Sequence, residues 1–211
     1  MNNAKLSRLI GSVAAAALCA LLANSPAQAG LILSLNPGTT NAASPSTNQF
    51  FDVVLFNNTP SVGIAGFSFG LNVSSSNLVF TGATTASPGY VFAGDSLFGP
   101  DIRTSADGQS VLASDLTASG NNVSLAANTT YTLGRVFFSI LAGTPAGLIP
   151  VIFDAQATSL SDSQGGAVAI GTIQNGNVNI PASTAVPEPG TFALVLGIVP
   201  ALAILRKRFQ P

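Results

Sequence analysis

Seven aspartates carry most of the chemistry that the central part of this 211-residue chain could perform. Between Gly30 and Ala185 the sequence has no histidine, cysteine, lysine, glutamate or tryptophan, and its only cations are Arg103 and Arg135. Ser-His-Asp catalysis, Cys-His catalysis and the common zinc sites are therefore excluded from this region. Carboxylates alone leave two kinds of site, a glycosidase acid pair or a calcium site. The seven are Asp52, Asp95, Asp101, Asp107, Asp115, Asp154 and Asp162.

A loop with acidic and hydroxyl-bearing residues offers the calcium alternative. Asp101 and Asp107 flank Arg103 in this loop, and calcium takes about 6–8 oxygen ligands. The spacing does not match an EF-hand, and Asp107 followed by Gly108 is typical of a turn. We therefore predict a turn and no resident cofactor, with a calcium site as the alternative.

The other carboxylates do not point to an enzyme. Asp52 lies between Phe51 and Val53, whose side chains are expected to face the core, so Asp52 is expected to face solvent. Asp154 and Asp162 suit strand ends and turns. The sequence predicts no catalytic residue. Two arginines against seven aspartates give this region a net charge of −5, which disfavours binding of nucleic acid and of anionic lipid.

Aromatic residues offer a second kind of site, because rings can stack on the faces of sugars. The loop from Ser87 to Gly108 carries Tyr90, Phe92 and Phe98, the one group of rings that the strand pattern does not place in the core. We favour the interpretation that these three rings cover an edge of the fold. The alternative is that they are exposed and form a ligand-binding loop.

The first 29 residues have the three parts of a secretory signal peptide. Lys5 and Arg8 form the basic part, residues 9–22 the apolar part, and Ala27-Gln28-Ala29 the cleavage site with small residues at Ala27 and Ala29. We expect the mature chain to begin at Gly30, outside the cytoplasm.

Two alternatives concern the same segment. Cys19 raises the possibility of a lipoprotein, although it follows Leu18 where lipoprotein signals have a small residue. Retention of the segment as a membrane anchor is the other. Once the signal is removed no cysteine remains, so the exported chain is expected to have no disulfide.

The C-terminal residues 183–211 have three parts as well. The motif Pro187-Glu188-Pro189 precedes an apolar stretch of about residues 191–205, and Arg206-Lys207-Arg208 follows it. This order resembles the PEP-CTERM sorting signal. The resemblance implies processing by an exosortase, a membrane peptidase of Gram-negative bacteria, after a transient stay in the inner membrane. Release to the cell surface or the extracellular matrix would follow.

The physical properties of the tail agree with a short membrane segment. Phe192 to Leu205 is 14 residues, which as a helix at about 1.5 Å per residue spans roughly 21 Å of a hydrocarbon core of roughly 30 Å. Pro200 favours a kink in it. The basic cluster is expected to stay cytoplasmic, with the preceding domain outside. A plain C-terminal anchor that is never cut is the alternative.

The middle of the chain has the pattern of short β-strands separated by turn residues. Alternation over residues 64–73 places Phe67, Phe69, Leu71 and Val73 on one face. We predict an all-β, antiparallel β-sandwich of about nine strands, with a helix only at each terminus. The predicted strands are residues 31–35, 50–56, 64–73, 78–80, 110–116, 131–141, 148–155, 167–171 and 173–180.

The longest predicted strand requires an irregularity. Tyr131, Leu133, Val136, Phe138 and Ile140 can all face the core only if the alternation slips near Gly134.

Several segments of residues 30–182 resemble cohesin-like domains, which share their architecture with some carbohydrate-binding modules. The resemblance implies a cohesin-like fold for this domain. Gly70-Leu71-Asn72 departs from it, because the family usually has acidic residues there, so calcium and dockerin contacts are not carried over. The segments are the opening strand 31–35, F-D-V-V-L at 51–55, residues 63–73 and 77–83, the strand 131–138 and residues 151–156.

These observations favour an exported, non-catalytic protein of the cell surface or of an exopolysaccharide matrix. Its expected partners are an exosortase and either exopolysaccharide or a surface protein. The alternative function is a carbohydrate- or protein-binding module on the cell surface. A ligand for it would be bound by the loop that carries Tyr90, Phe92 and Phe98.

Overall fold

Two β-sheets packed face to face form the architecture of residues 30–182, the part of the chain that the computed structural model describes. The predicted all-β class is confirmed, since these residues contain no helix. It follows that residues 30–182 offer no helix of the length and hydropathy that crossing a membrane requires.

Fourteen strands occur in the described residues, rather than the nine or so predicted. The additional ones are short or result from splitting a predicted strand in two, and three of them, β2, β4 and β9, have only three residues each. In chain order the strands are β1 Leu31–Asn36, β2 Thr39–Asn41, β3 Ser46–Asn57, β4 Val62–Ile64, β5 Gly66–Val73, β6 Leu78–Thr84, β7 Asp101–Thr104, β8 Ser110–Leu116, β9 Val123–Leu125, β10 Thr129–Ile140, β11 Gly147–Ser161, β12 Ala167–Val168, β13 Ile170–Gln174 and β14 Gly176–Ile180.

The first sheet has five strands in the order β13-β1-β3-β10-β6. The second has the order β2-β14-β11-β5-β8-β7, with β12 paired to β11. A separate pair joins β4 and β9. Most pairs are antiparallel as predicted, but β1 with β13 and β14 with β2 are parallel.

The core lies between the two sheets and is built from alternate residues of each strand. The predicted inward face of β5 is confirmed, because Phe67, Phe69, Leu71 and Val73 are all buried. Phe67 and Phe69 stack with ring centroids 6.1 Å apart. The opposite sheet contributes Phe51 and Phe138, whose centroids are 5.5 Å apart.

The irregularity predicted near Gly134 is present in β10. The register against β3 shifts between Thr132 and Gly134, so that Leu133 and Val136 both face the core. Tyr131 is only partly buried and packs against the core from its border. Such a bulge lets one strand change which of its residues point inward without ending the sheet.

Candidate functional site

A buried carboxylate organises the loop between β6 and β7. Asp115 lies near the end of β8 and is only 1% exposed. Its Oδ2 accepts hydrogen bonds from the hydroxyls of Tyr90 and Ser96, and its Oδ1 accepts from the backbone N–H of Phe98 at 3.0 Å and of Leu116 at 2.8 Å. Four donors therefore replace the water that an exposed carboxylate would bind.

The charge state of Asp115 follows from these contacts. Burial alone raises the pKa of a carboxyl, but the hydrogen bonds from Ser96, Tyr90 and the two backbone N–H groups outweigh it and lower the pKa of Asp115 below its usual value. The pKa of the Tyr90 phenol moves in the opposite direction. Burial, together with the neighbouring Asp115 carboxylate, raises the pKa of Tyr90 far above its usual value. At neutral pH the network thus pairs a carboxylate anion with a neutral phenol.

Tyr90 and Phe92 are buried, as the favoured interpretation predicts. Phe92 is 0% exposed and Tyr90 is also buried, and both pack on the ring of Phe67 with centroids 5.5 and 6.4 Å away. The loop turns inward here because its rings fill the end of the core and because the Tyr90 hydroxyl reaches Asp115. These two residues therefore cover an edge of the sandwich and are not exposed to a ligand.

Phe98, the third ring of the predicted ligand loop, is 61% exposed. Leu97, the next residue, and Leu116 are also exposed. The Leu97 N–H donates to the Leu116 carbonyl oxygen at 2.9 Å, so these two residues lie side by side. We call Leu97, Phe98 and Leu116 the Phe98 patch. A shallow depression of about 350 Å³ adjoins it, lined by Phe98, Pro100, Asp101, Ile102 and Ser114.

A second carboxylate fixes the other side of the loop. Asp95 accepts from the Ser119 N–H at 2.8 Å and from the Ser119 hydroxyl at 2.6 Å, and its carbonyl oxygen accepts from the Ala118 N–H at 2.6 Å. Ser96 also forms an isolated antiparallel bridge with Thr117. The backbone under the Phe98 patch is consequently held at both Asp95 and Asp115.

The carboxylates of the predicted calcium loop are used locally. Asp101 forms an exposed ion pair with Arg103 at 3.0 Å. Asp107 accepts from the Ser105 hydroxyl and from the Gln109 N–H at 3.0 Å, and these contacts lower the pKa of Asp107. The turn at Gly108 is confirmed, with a φ of 68° that favours glycine. Within residues 30–182 no three potential acidic, histidine or cysteine ligands lie together.

The expectation that Asp52 is simply solvated is wrong. Asp52 does point away from the core, but Arg135 from the neighbouring strand β10 binds it through Nε at 2.8 Å and Nη2 at 3.0 Å. The sequence reasoning placed Asp52 on the correct face but missed its partner, because Arg135 is far away along the chain and the bulge in β10 sets the register that brings them together.

The terminal sites lie outside the described residues. This holds for the cleavage site at Ala27 and Ala29, the motif Pro187-Glu188-Pro189 and the basic cluster Arg206-Lys207-Arg208. Their roles stay predictions.

The sequence analysis also missed Asp115, Leu97 and Leu116. One signal was available: Asp115 occupies an inward position of β8, in phase with Val111 and Ala113, where a carboxylate requires several donors.

Comparisons with known proteins identify the fold. No protein-family model matches the chain, and no curated protein matches it in sequence. Solved structures of cohesins do match. The seventh ScaB type I cohesin from Pseudobacteroides cellulosolvens is 17% identical, with a TM-score of 0.56 over 75% of this chain and 97% of that chain. CaCohA2 from Clostridium acetobutylicum is 13% identical, with a TM-score of 0.57 over 74% and 93%.

A third match was determined in complex with a dockerin. It is the sixth cohesin of scaffoldin B from Acetivibrio cellulolyticus, bound to a Cel5 dockerin, which is 18% identical with a TM-score of 0.57 over 72% of this chain and 99% of that chain. At these identities the likeness concerns the fold. The described residues therefore form a cohesin-like β-sandwich, as the sequence resemblance implied.

Proposed function

We propose that this chain is an exported, non-catalytic binding protein of the cell surface or extracellular matrix, whose cohesin-like sandwich binds a protein partner through the Phe98 patch. The observation that carries the proposal is the way the patch is held. Its exposed apolar side chains stand on backbone that a buried carboxylate and a second aspartate fix in place.

Pre-formed geometry matters for binding because ordering a loop on association costs free energy. The N–H groups of Phe98 and Leu116 already donate to Asp115, so a partner would meet a patch that needs no rearrangement. Exposed aromatic and aliphatic side chains in such a setting are typical of the centre of a protein interface.

The similar cohesin of Acetivibrio cellulolyticus supports a protein partner, since it is bound to a dockerin in its structure. The support comes from the shared fold and not from a shared site, and function belongs to sites rather than to folds. No particular dockerin contact is transferred, and Gly70-Leu71-Asn72 lacks the acidic residues usual at that place in cohesins.

A protein fits the Phe98 patch better than a sugar does. Tyr90 and Phe92 are buried, so only one ring remains exposed in this loop. Leu97 and Leu116 flank that ring with aliphatic groups, which offer no hydrogen bonds to sugar hydroxyls.

Export and sorting complete the proposal. The N-terminal signal peptide with its small residues at Ala27 and Ala29 supports secretion, and the Pro187-Glu188-Pro189 tail supports processing by an exosortase. The protein would then stay only transiently in the inner membrane before it reaches the surface or matrix of a Gram-negative cell.

Site-specific photo-crosslinking in the native cells tests the binding site. A photoreactive amino acid is placed at Leu97 and, as the matched control, at Thr81, which is exposed on β6 of the other sheet. We expect discrete protein adducts from position 97, lost when Phe98 is changed to Asp. Adducts of equal yield from position 81, or adducts from position 97 that survive Phe98→Asp, would contradict the assignment of the patch.

A further inference from the structure

The outward face of the five-stranded sheet carries a second group of side chains, which shares no residue with the Phe98 patch. Phe50 of β3 and Phe137 of β10 lie directly opposite each other, and their rings meet edge to face with centroids 6.3 Å apart. Phe50 is 41% exposed, and Phe137 is partly exposed. Neither ring belongs to the core.

A row of polar groups crosses the sheet beside these rings. In register, Asn36 of β1 is opposite Asp52 of β3, which is opposite Arg135 of β10, which is opposite Thr84 of β6. Asp52 and Arg135 form the two-point ion pair described above, and the Asp52 contact raises the pKa of Arg135. The guanidinium carbon lies 3.9 Å from the centre of the Phe50 ring. The charged pair and the rings thus form one connected surface.

A glycine on the edge strand β6 borders this surface. Gly82 of β6 is paired with Phe137, and a Cβ built on it would meet no atom within 4 Å. The space around the Cβ position of Gly82 is therefore unoccupied, and a larger residue there would occupy space next to the residue that pairs with Phe137.

We infer that this surface is a binding platform for a neutral polysaccharide. The Phe137 ring, with Phe50 beside it, would stack against the C–H face of a sugar, because the electron-rich face of an aromatic ring attracts polarised C–H groups. The row of Asn36, Asp52, Arg135 and Thr84 would exchange hydrogen bonds with the sugar hydroxyls. Asp52 has unused lone pairs, and Arg135 has N–H groups beyond the two that bind Asp52.

The charge distribution determines which polysaccharide fits. Arg135 and Asp52 neutralise each other, so the platform offers no free cation to a uronate or sulfate. The domain as a whole carries −5 from two arginines and seven aspartates, which repels an anionic polymer. An uncharged, hydroxyl-rich chain meets neither obstacle. This inference depends on neither the C-terminal tail nor the Phe98 patch, and a matrix protein would use the two surfaces for different partners.

Native affinity electrophoresis tests the inference on the full chain kept in a mild detergent. The gels contain a soluble β-glucan, a galactomannan, a xylan or, as the anionic comparison, alginate. We expect retardation in at least one neutral gel and none in alginate. Phe137→Leu keeps an apolar side chain but removes the ring face, and we expect it to weaken retardation roughly tenfold or more. Phe137→Tyr should retain binding, and Ile152→Ala, at an exposed position of β11 on the other sheet, should match the unchanged chain.

Three outcomes would overturn the platform. They are a wild-type chain that no neutral gel retards, a Phe137→Leu variant that is retarded as strongly as wild type, and alginate retardation equal to that in the neutral gels. Thermal unfolding of each variant shows whether it is folded. If Phe137→Leu does not fold, the exposed Asn36 provides the decisive variant: Asn36→Ala should weaken retardation, and unchanged retardation would refute the polar row.

Discussion

Asp115 illustrates what a single buried carboxylate requires. An ionised group removed from water is costly unless donors replace its hydration. Two hydroxyls and two backbone N–H groups do so here, and three of the four donors come from the loop that precedes β7. The same bonds that stabilise the anion therefore determine the path of the loop.

Replacement of Asp115 by Asn is expected to destabilise the domain. An amide has one acceptor oxygen in place of two and directs an NH₂ group at donors that need an acceptor, so about 2–4 kcal/mol of unfolding free energy should be lost. Urea unfolding measures this. The matched control is Asp162→Asn, because the Asp162 carboxylate accepts only from the Gln164 and Gly166 N–H groups of an exposed turn. Equal losses in the two variants would contradict the special role of Asp115.

The unfolding free energies of wild type and Asp115→Asn should depend differently on pH in acid. The pKa of Asp115 is lowered in the folded state, so its contribution is complete above the unfolded value of 3.8 and is lost as the pH falls below it. We expect the unfolding free energy of wild type to drop more steeply than that of Asp115→Asn as the pH falls from about 4 toward 2. Parallel acid profiles would show that Asp115 does not titrate with folding.

Tyr90 should limit stability at the alkaline end. Burial raises its pKa above the ordinary value of 10.0, so the neutral phenol is favoured in the folded state and the associated stability is lost as the pH rises above 10. Tyr90→Phe removes this dependence and also one bond to Asp115. We expect the variant to be less stable at pH 7 but to lose less stability between about pH 10 and 11. Tyr131→Phe serves as the control, since Tyr131 donates no bond to a carboxylate but accepts one from the Ala126 N–H.

At the scale of elements, strand β11 contains a bulge where it pairs with β5. Its pairing with β5 breaks between Asp154 and Ser159, so the intervening residues bulge over the small residues of β5. The Ser68 hydroxyl donates to the Ala157 carbonyl oxygen at 2.9 Å, and the Gly70 N–H donates to the Thr158 hydroxyl at 3.3 Å. Bonds of this kind satisfy groups that a regular ladder would have paired.

Gly70 is required by the bulge, and its replacement is expected to be costly. A Cβ on Gly70 would lie 2.8 Å from the Ala157 Cβ and 3.1 Å from the Asp154 Cβ. Gly70→Ala should therefore cost about 1–3 kcal/mol in urea unfolding. Ala157→Gly in the same chain removes the closer contact and should restore part of the loss, which a double-mutant cycle measures as a coupling. Additive effects of the two changes would mean that the backbone has moved instead.

Some of the strands could be predicted from the sequence and others could not. Alternation predicted β1, β3, β5, β8 and the bulge in β10, because each of these buries one complete face. It missed β2, β7 and β9, since strands of three or four residues show too few alternations to separate them from loops. It favoured burial of Tyr90 and Phe92 but did not identify their contacts with Phe67 and Asp115, because the tertiary contacts of a loop leave no periodic signal. The Asp52–Arg135 pair depends on register for the same reason.

At the scale of the whole molecule, the two sheets present different chemistry. The Phe98 patch beside the six-strand path is apolar and close to the carboxylates of Asp95 and Asp101, whereas the five-stranded sheet presents rings with a neutralised ion pair. A protein held between a partner and a polymer would need two such independent surfaces. The two controls, Ile152→Ala for the platform and crosslinking from Thr81 for the patch, test that independence.

The final prediction concerns the ends of the chain as it leaves the cell. If residues 1–29 are a signal peptide and residues 183–211 a sorting signal, protein recovered from the native surface should begin near Gly30 and end near Pro187-Glu188-Pro189. Intact-mass and terminal-peptide analysis measures both ends at once. Replacing Pro187 and Pro189 by Ala should leave a chain that ends at Pro211 in the membrane fraction. Proline denies a backbone donor and keeps the chain extended for a protease, and Ala does neither.

Pro181→Ala provides the matched control for this experiment, because it removes a proline close to the motif but outside it. Normal processing of Pro181→Ala together with retention of the double variant would assign recognition to the motif. A wild-type chain that itself still ends at Pro211 in the membrane would instead make the tail a permanent anchor. In that case the sorting proposal fails, but the proposals for the two binding surfaces are unaffected. Every residue of the patch and of the platform lies at or before Phe137, outside the tail.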